Sequence, residues 1–250
     1  MQPLQQHLTQ LKLSGVRQAL EQQSTQPNTY QDLSFNERLL MLLEHEVNGR
    51  KQRRIERLIK QAKFRLRANI EDIDYQASRQ LKPQQIRSLL DGQWLSQHQN
   101  LIITGATGCG KTYLACALGH HYCQQGQPVY YYRLKGLLED MYMAQAQGTY
   151  RKLLNRLTQC HILVIDDWGL EPLSDNQRSD LLEIIDTRYN EASTIISSQL
   201  PVESWYEIIG ESNHADAILD RIVHSSIKIK LEGESMRKKQ NKLTDADQLD

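Results

Sequence analysis

Two hydrophobic rhythms divide the chain. Leu4, Leu8, Leu11, Val16 and Leu20 recur roughly every four residues, predicting an amphipathic first helix with Gly15 as its weak point. Gln26-Pro27-Asn28 breaks it. Ser34 followed three residues on by Glu37 forms a capping-box pattern. It predicts a helix in which Leu39, Leu40, Leu42 and Leu43 are partly buried. A further helical stretch spans Arg50 to Ala68, and Pro83 marks another break.

From Asn100 the rhythm changes. Short apolar runs at Leu101–Ile103, Val129–Tyr132, Ile162–Ile165, Thr194–Ser197 and Ile227–Leu231 read as five strands separated by helix-like segments. Strands alternating with helices predict a mainly parallel sheet covered on both faces. The expected fold is α/β, a parallel five-stranded sheet preceded by a small all-α domain. The expected boundaries are a helical N-terminal domain over 1–80, the sheet domain over 81–240, and a polar tail over 241–250.

Composition narrows the class. With 39% hydrophobic and 24% charged residues among 250, the chain is an ordinary globular protein. No apolar run reaches bilayer length, and Met1–Gln10 lacks the apolar core of a secretory signal. No membrane association and a cytoplasmic location are therefore expected. Cys109, Cys116, Cys123 and Cys160 form no CxxC pair, which argues against zinc. The seven-residue recurrence of the first three suggests small buried thiols on one helix face, kept reduced in the cytoplasm.

The balanced net charge conceals an asymmetry. Residues 1–97 carry 15 Lys and Arg against 10 Asp and Glu, and the remainder carries 15 against 20. The stretch Arg50–Arg67 concentrates nine cations and one acid. Ile55, Leu58, Ile59, Ala62 and Leu66 form an apolar stripe within it. The helix can pack on that stripe and present Arg53, Arg54, Arg57 and Lys60 to a phosphate backbone. A solvated basic surface is the equal reading from composition alone. Neither a helix-turn-helix nor a zinc-finger pattern is present, so weak sequence preference is expected of any DNA contact.

The chemistry centres on Gly105-Ala106-Thr107-Gly108-Cys109-Gly110-Lys111-Thr112, which fits G-x-x-x-x-G-K-[ST]. The glycines let backbone N–H groups turn toward phosphate oxygens. Lys111 reaches the β- and γ-phosphates, the Thr112 hydroxyl holds magnesium, and the helix from Lys111 to Gln124, with Tyr113 in its first turn, aims its positive end at the anion. The motif follows a buried strand and opens a helix, as this chemistry requires. ATP with Mg2+ is the expected ligand.

His161–Asp167 is an apolar strand ending in two carboxylates. Asp166 suits the magnesium position and Asp167 the orienting of an attacking water. Strand ends line the ligand crevice of a parallel sheet. Ser198 or Gln199 at the end of the fourth strand is thus placed near the γ-phosphate, or simply leads into the helix behind Pro201. Arg221 is either an arginine finger for a neighbouring subunit or a solvated partner of Asp220 or Asp216. Arg237 is either a nucleotide sensor within its own chain or part of a basic tail.

Taken together, GATGCGKT (105–112), HILVIDDWG (161–169), STIISSQLPVESW (193–205), ADAILDRIVH (215–224) and LEGESMRK (231–238) resemble the IstB-like transposition helper ATPases. The resemblance runs from about Lys12 to Lys238. It implies an AAA+ ATPase of the initiator and helicase-loader group that oligomerises on duplex DNA with ATP and works beside a transposase from the same insertion sequence. It carries nucleotide binding onto Lys111 and Thr112, catalytic roles onto Asp166 and Asp167, the sensor position onto Gln199, and the finger onto Arg221. Two other functions compete: a DnaC-like loader of replicative helicase, and a nucleotide-bound scaffold that never hydrolyses.

Overall fold

Val- and Ile-rich runs bounded by turn residues form the strands of the computed structural model, which describes residues 2–75, 80–210, 213–233 and 236. Helices α1 (Gln2–Gln10), α2 (Ser14–Thr25), α3 (Pro27–Tyr30), α4 (Phe35–Ala62), α5 (Pro83–Leu90) and α6 (Gln93–Ser96) precede the sheet. Strand β1 (Asn100–Gly105) is followed by α7 (Lys111–Gln124), β2 (Val129–Arg133), α8 (Leu134–Ala146) and α9 (Tyr150–Gln159). Then come β3 (Ile162–Trp168), α10 (Asp175–Arg188), β4 (Ser193–Ser198), α11 (Trp205–Ile209), α12 (Asn213–Val223) and β5 (Ser226–Leu231).

The five strands are all parallel, in the order β2-β3-β4-β1-β5. Side-chain alternation sends them to two cores. Leu101, Ile103, Val164 and Ile195 pack on one face with Leu114 and Leu118 of α7. Ile102, Leu163, Ile165 and Ile196 pack on the other with Leu137 of α8, Ile184 of α10 and Ile218 of α12. The C-terminal ends of β1, β3 and β4 thereby converge on one edge.

The chain divides into two compact units, 1–57 and 58–250. Within the first, the expected single N-terminal helix is two. Lys12 has φ 55°, and this left-handed residue ends α1. Gly15 permits the close approach of α2 and α4: a Cβ there would lie 2.8 Å from the Glu46 Cα. The Gly15 and Val16 N–H groups donate to Glu46 Oε2 at 2.6 and 3.2 Å, so a buried carboxylate caps the helix start. The capping box of α4 is formed, with the Ser34 N–H donating to Glu37 Oε2 at 2.8 Å and the Glu37 N–H to Ser34 Oγ at 3.3 Å.

Some expectations are corrected. Leu39, Leu40 and Leu43 are exposed and Leu42 alone of the four is half-buried, because the inward face of α4 is the one carrying Leu42, Glu46 and Gly49. The helix runs without interruption through Gly49 and stops at Ala62, before Lys63 with φ 55°, rather than reaching Ala68. Pro27 and Pro83 each open a helix instead of merely breaking one. Cys116 and Cys123 lie on α7, whereas Cys109 lies in the loop before it; all four cysteines are buried. The tail beyond Lys238 lies outside the described residues, and among those described no helix is long and apolar enough to cross a membrane.

Candidate functional site

Gly105, Gly108 and Gly110 have φ of 150°, 83° and 95°, backbone that side chains with a Cβ avoid. A Cβ on Gly105 would also collide with the Leu231 carbonyl oxygen of the adjacent strand. The loop therefore bends between β1 and the N-terminus of α7, whose first N–H groups lack helical partners. The Lys111 ammonium donates to the Gly105 and Ala106 carbonyls at 2.7 and 2.8 Å. Its burial lowers its pKa, an effect opposed by the nearby Cys109, Asp166 and Asp167.

Asp166 is 1% exposed. Three hydroxyls hold it: Thr112 donates to Oδ2 at 2.8 Å, Tyr131 to the same oxygen at 2.6 Å, and Ser197 to Oδ1. Burial, then the bond to Asp166, raises the Tyr131 pKa, so its hydroxyl stays a donor. A hydroxyl from the phosphate loop and a carboxylate from β3 at hydrogen-bond distance form an all-oxygen donor set suited to a hard divalent cation.

Asp167 sits differently. The β3–β4 register slips between Ile165 and Trp168, so β3 carries one extra residue there, and Asp167 takes φ 58°. A bulge of this kind re-aims a side chain. Here it turns Asp167 to two guanidinium groups, Arg133 Nε at 3.2 Å and Arg65 Nη1 at 3.5 Å from Oδ2. Arg65 Nη1 also lies 4.0 Å from Asp166 Oδ2.

Of the two candidates ending β4, Gln199 reaches the loop, where its Oε1 accepts from Thr107 Oγ1 at 2.6 Å. Ser198 is buried and serves the backbone: its Oγ donates to the Trp168 carbonyl at 2.8 Å and accepts the Leu200 N–H at 3.1 Å. A cavity of about 490 Å3 opens beside the loop, lined by Gly108, Lys111, Thr112 and Tyr113, and by Leu66, Arg67, Asp72 and Asp74 from the segment that follows α4. Met236 lines it too, and its N–H donates to the Gly108 carbonyl at 2.9 Å.

Sequence reasoning does not find Arg65, Arg133, Tyr131, Ser197 or the wall around Asp72. A polar residue in an otherwise apolar strand, as at Ser197, is a usable signal; the segment around Asp72 carries none.

The remaining candidates lie elsewhere. Arg221 Nε is paired with Asp186 at 2.7 Å, not with Asp216 or with Asp220, which faces His224 at 3.6 Å. The Arg221 carbonyl accepts from Asn100 at 3.2 Å, at the start of β1 and so at the opposite end of that strand from the loop. Arg237 lies outside the described residues. Arg53, Arg54, Arg57 and Lys60 are exposed along α4 while Leu58 and Ala62 are buried; Arg53 Nη2 is also 3.6 Å from Glu46.

Comparison with known proteins gives the family and the fold. The family model for IstB-like ATP binding proteins matches residues 6–244. An insertion sequence ATP-binding protein of Sinorhizobium fredii, y4pL, is 43% identical over 235 residues, 94% of this chain and 96% of that one. The IS1162 ATP-binding protein of Pseudomonas fluorescens is 46% identical over 195 residues, 78% of this chain and 84% of the other. Among solved structures, the DnaC helicase loader superimposes with a TM-score of 0.52 at 27% identity, over 60% of this chain and 87% of that one. AMPPCP-bound DnaA from Aquifex aeolicus gives a TM-score of 0.60 at 20% identity, over 73% of this chain but 56% of its own length, a likeness of fold. The fold is that of the AAA+ nucleotide-binding proteins, and the chain belongs to the IstB-like ATP-binding family associated with insertion sequences.

Proposed function

We propose that this protein is an ATP- and magnesium-dependent ATPase that assembles on duplex DNA as a homo-oligomer and assists a separate transposase of the same insertion sequence. The observation that carries the reading is the meeting of loop and strand at Thr112 and Asp166, in a chain that also displays a row of exposed cations on α4. Lys111 and the loop amides would bind the phosphates. Magnesium, held by Thr112 and Asp166, would neutralise phosphate charge. Asp167 orients the attacking water, and Gln199 senses the loop through Thr107.

Arg221 supports a shared site. Its backbone lies at the far end of β1 from its own loop, so a role at a nucleotide belongs to a neighbouring copy, with the Asp186 pair released on assembly. Such a composite site makes assembly depend on ATP and disassembly on hydrolysis.

A helicase-loader function is the second reading, favoured by the 27% identity to DnaC over 60% of this chain. Relatives that match nearly the whole chain carry insertion-sequence names, which favours the first reading. A transposase gene immediately upstream separates the two. The decisive experiment measures ATPase rate and assembly state with and without duplex DNA. Faster turnover and a larger assembly with both ligands are expected; a mass and rate indifferent to DNA would refute the proposal.

A further inference from the structure

The chain leaving α4 is anchored to the loop helix before it reaches the site. Ala62 and Ala68 are 0% and 2% exposed. The Phe64 ring occupies the space over Gly119 of α7, where a Cβ would come within 2.6 Å of Cε1, and it meets His120 edge-on at 6.4 Å. The Cys116 thiol, also on α7, has its pKa raised by burial, and the backbone of Leu66 and Arg65 beside it opposes that rise. Arg65 thus springs from a backbone fixed on both sides to the helix that carries Lys111 and Thr112. Its guanidinium, about one-third exposed, spans the two strand-end carboxylates, 3.5 Å from Asp167 and 4.0 Å from Asp166.

Asp167 needs such a support. It stands in left-handed backbone at a bulge, a conformation that persists where the surrounding structure over-determines it. Arg133 holds it from the half-exposed end of β2. Arg65 holds it from the loop-helix side, and so ties the carboxylate to the element that holds the phosphates. A planar guanidinium suits this bridging better than an ammonium.

We propose that Arg65 is a positioning residue for ATP hydrolysis, acting through Asp167 and not on the nucleotide; this rests on the ATPase reading above. The test is a double-mutant cycle under single-turnover conditions, with parent, Arg65→Ala, Arg65→Lys, Asp167→Asn and the Arg65→Ala/Asp167→Asn double variant. Affinity for a fluorescent ATP analogue is measured in parallel and reports that each variant is folded. Arg65→Ala is expected to lower the hydrolysis rate on the order of tenfold or more, as misplacement of a reacting group does. Nucleotide affinity should stay within about twofold and Arg65→Lys should recover part of the rate. In the Asp167→Asn background, Arg65→Ala should cost no more than about twofold further.

Rate effects that multiply would show that Arg65 does not act through Asp167. A large drop in affinity would make Arg65 a phosphate ligand, and a faster Arg65→Ala would make it a brake; either overturns the proposal. A parent protein without turnover defeats the ATPase reading and this inference together, whereas an active parent with multiplying effects defeats this inference alone.

Discussion

Thr112 Oγ1 donates to Asp166 Oδ2 across 2.8 Å, joining the first turn of α7 to the end of β3 from 54 positions away. Tyr131 donates to the same oxygen at 2.6 Å. The first bond uses a group suited to hold a cation and the second orients the carboxylate, so the two hydroxyls should be separable. Tyr131→Phe is expected to raise the Mg2+ concentration needed for ATP binding roughly tenfold, the usual scale for an orienting partner. Thr112→Val should raise it further, and Thr112→Ser should restore it. Nucleotide affinity titrated against Mg2+ measures all three; an unchanged Mg2+ requirement in Thr112→Val would remove this residue from the cation site.

Lys111 is buried against carbonyl oxygens of its own loop, on the cavity that Thr112 also lines. Lys111→Ala should abolish ATP-dependent assembly on DNA while leaving ATP-independent DNA binding intact. Sedimentation with and without ATP reads the first, and filter binding the second. Normal ATP-dependent assemblies from Lys111→Ala would sink the switch.

The strands and the loop are legible because their signals are contiguous. Leu101–Ile103 and Ile162–Ile165 are apolar runs that end in chemistry, and the structure extends them only to Asn100–Gly105 and Ile162–Trp168. Helix limits are less legible, since Lys12 and Lys63 end helices through left-handed backbone with no glycine to announce it. The site is half legible. Gly105–Thr112 and Asp166-Asp167 stand in short motifs. Arg65, by contrast, reaches Asp167 from 102 positions away, and Tyr131 and Ser197 reach Asp166 from 35 and 31. The sheet order brings Tyr131 and Ser197 to Asp166, and the packing of Phe64 on α7 brings Arg65 to Asp167; one sequence encodes neither in any local pattern.

Glu46 offers a test of the N-terminal unit by itself. Burial raises its pKa, but hydrogen bonds from Arg50 and from the Val16 and Gly15 N–H groups outweigh this and leave it lowered from 4.5. A depressed folded-state pKa means stability that is present above the unfolded value and lost as pH falls through the folded one. Melting of the N-terminal unit should therefore drop as pH falls below about 4.5, more steeply in the parent than in Glu46→Gln. Glu46→Ala strands two N–H donors and should cost on the order of 2 kcal/mol. Gly15→Ala, which drives a methyl toward the Glu46 Cα, should destabilise as well. Equal pH dependence in parent and Glu46→Gln would remove the carboxylate from this role.

The cations of α4 pose the remaining test. Arg53, Arg54 and Arg57 are exposed while Leu58, one residue further, is buried, so replacing them leaves the apolar stripe intact. Cations that pair with DNA phosphates release counterions, and the slope of log affinity against log salt shrinks by roughly 0.9 for each phosphate on duplex DNA that is no longer neutralised. The triple change Arg53→Gln, Arg54→Gln and Arg57→Gln should thus weaken duplex binding and reduce the slope by up to about 2.7 if all three meet phosphates. The weakening should be similar across DNA sequences, because phosphate pairing positions a protein without reading bases. Nucleotide affinity should be unchanged, since Lys111 and Thr112 keep their partners. Duplex binding with parental affinity and slope would show that α4 is a solvated basic surface, and would move the DNA-binding face to another part of the protein.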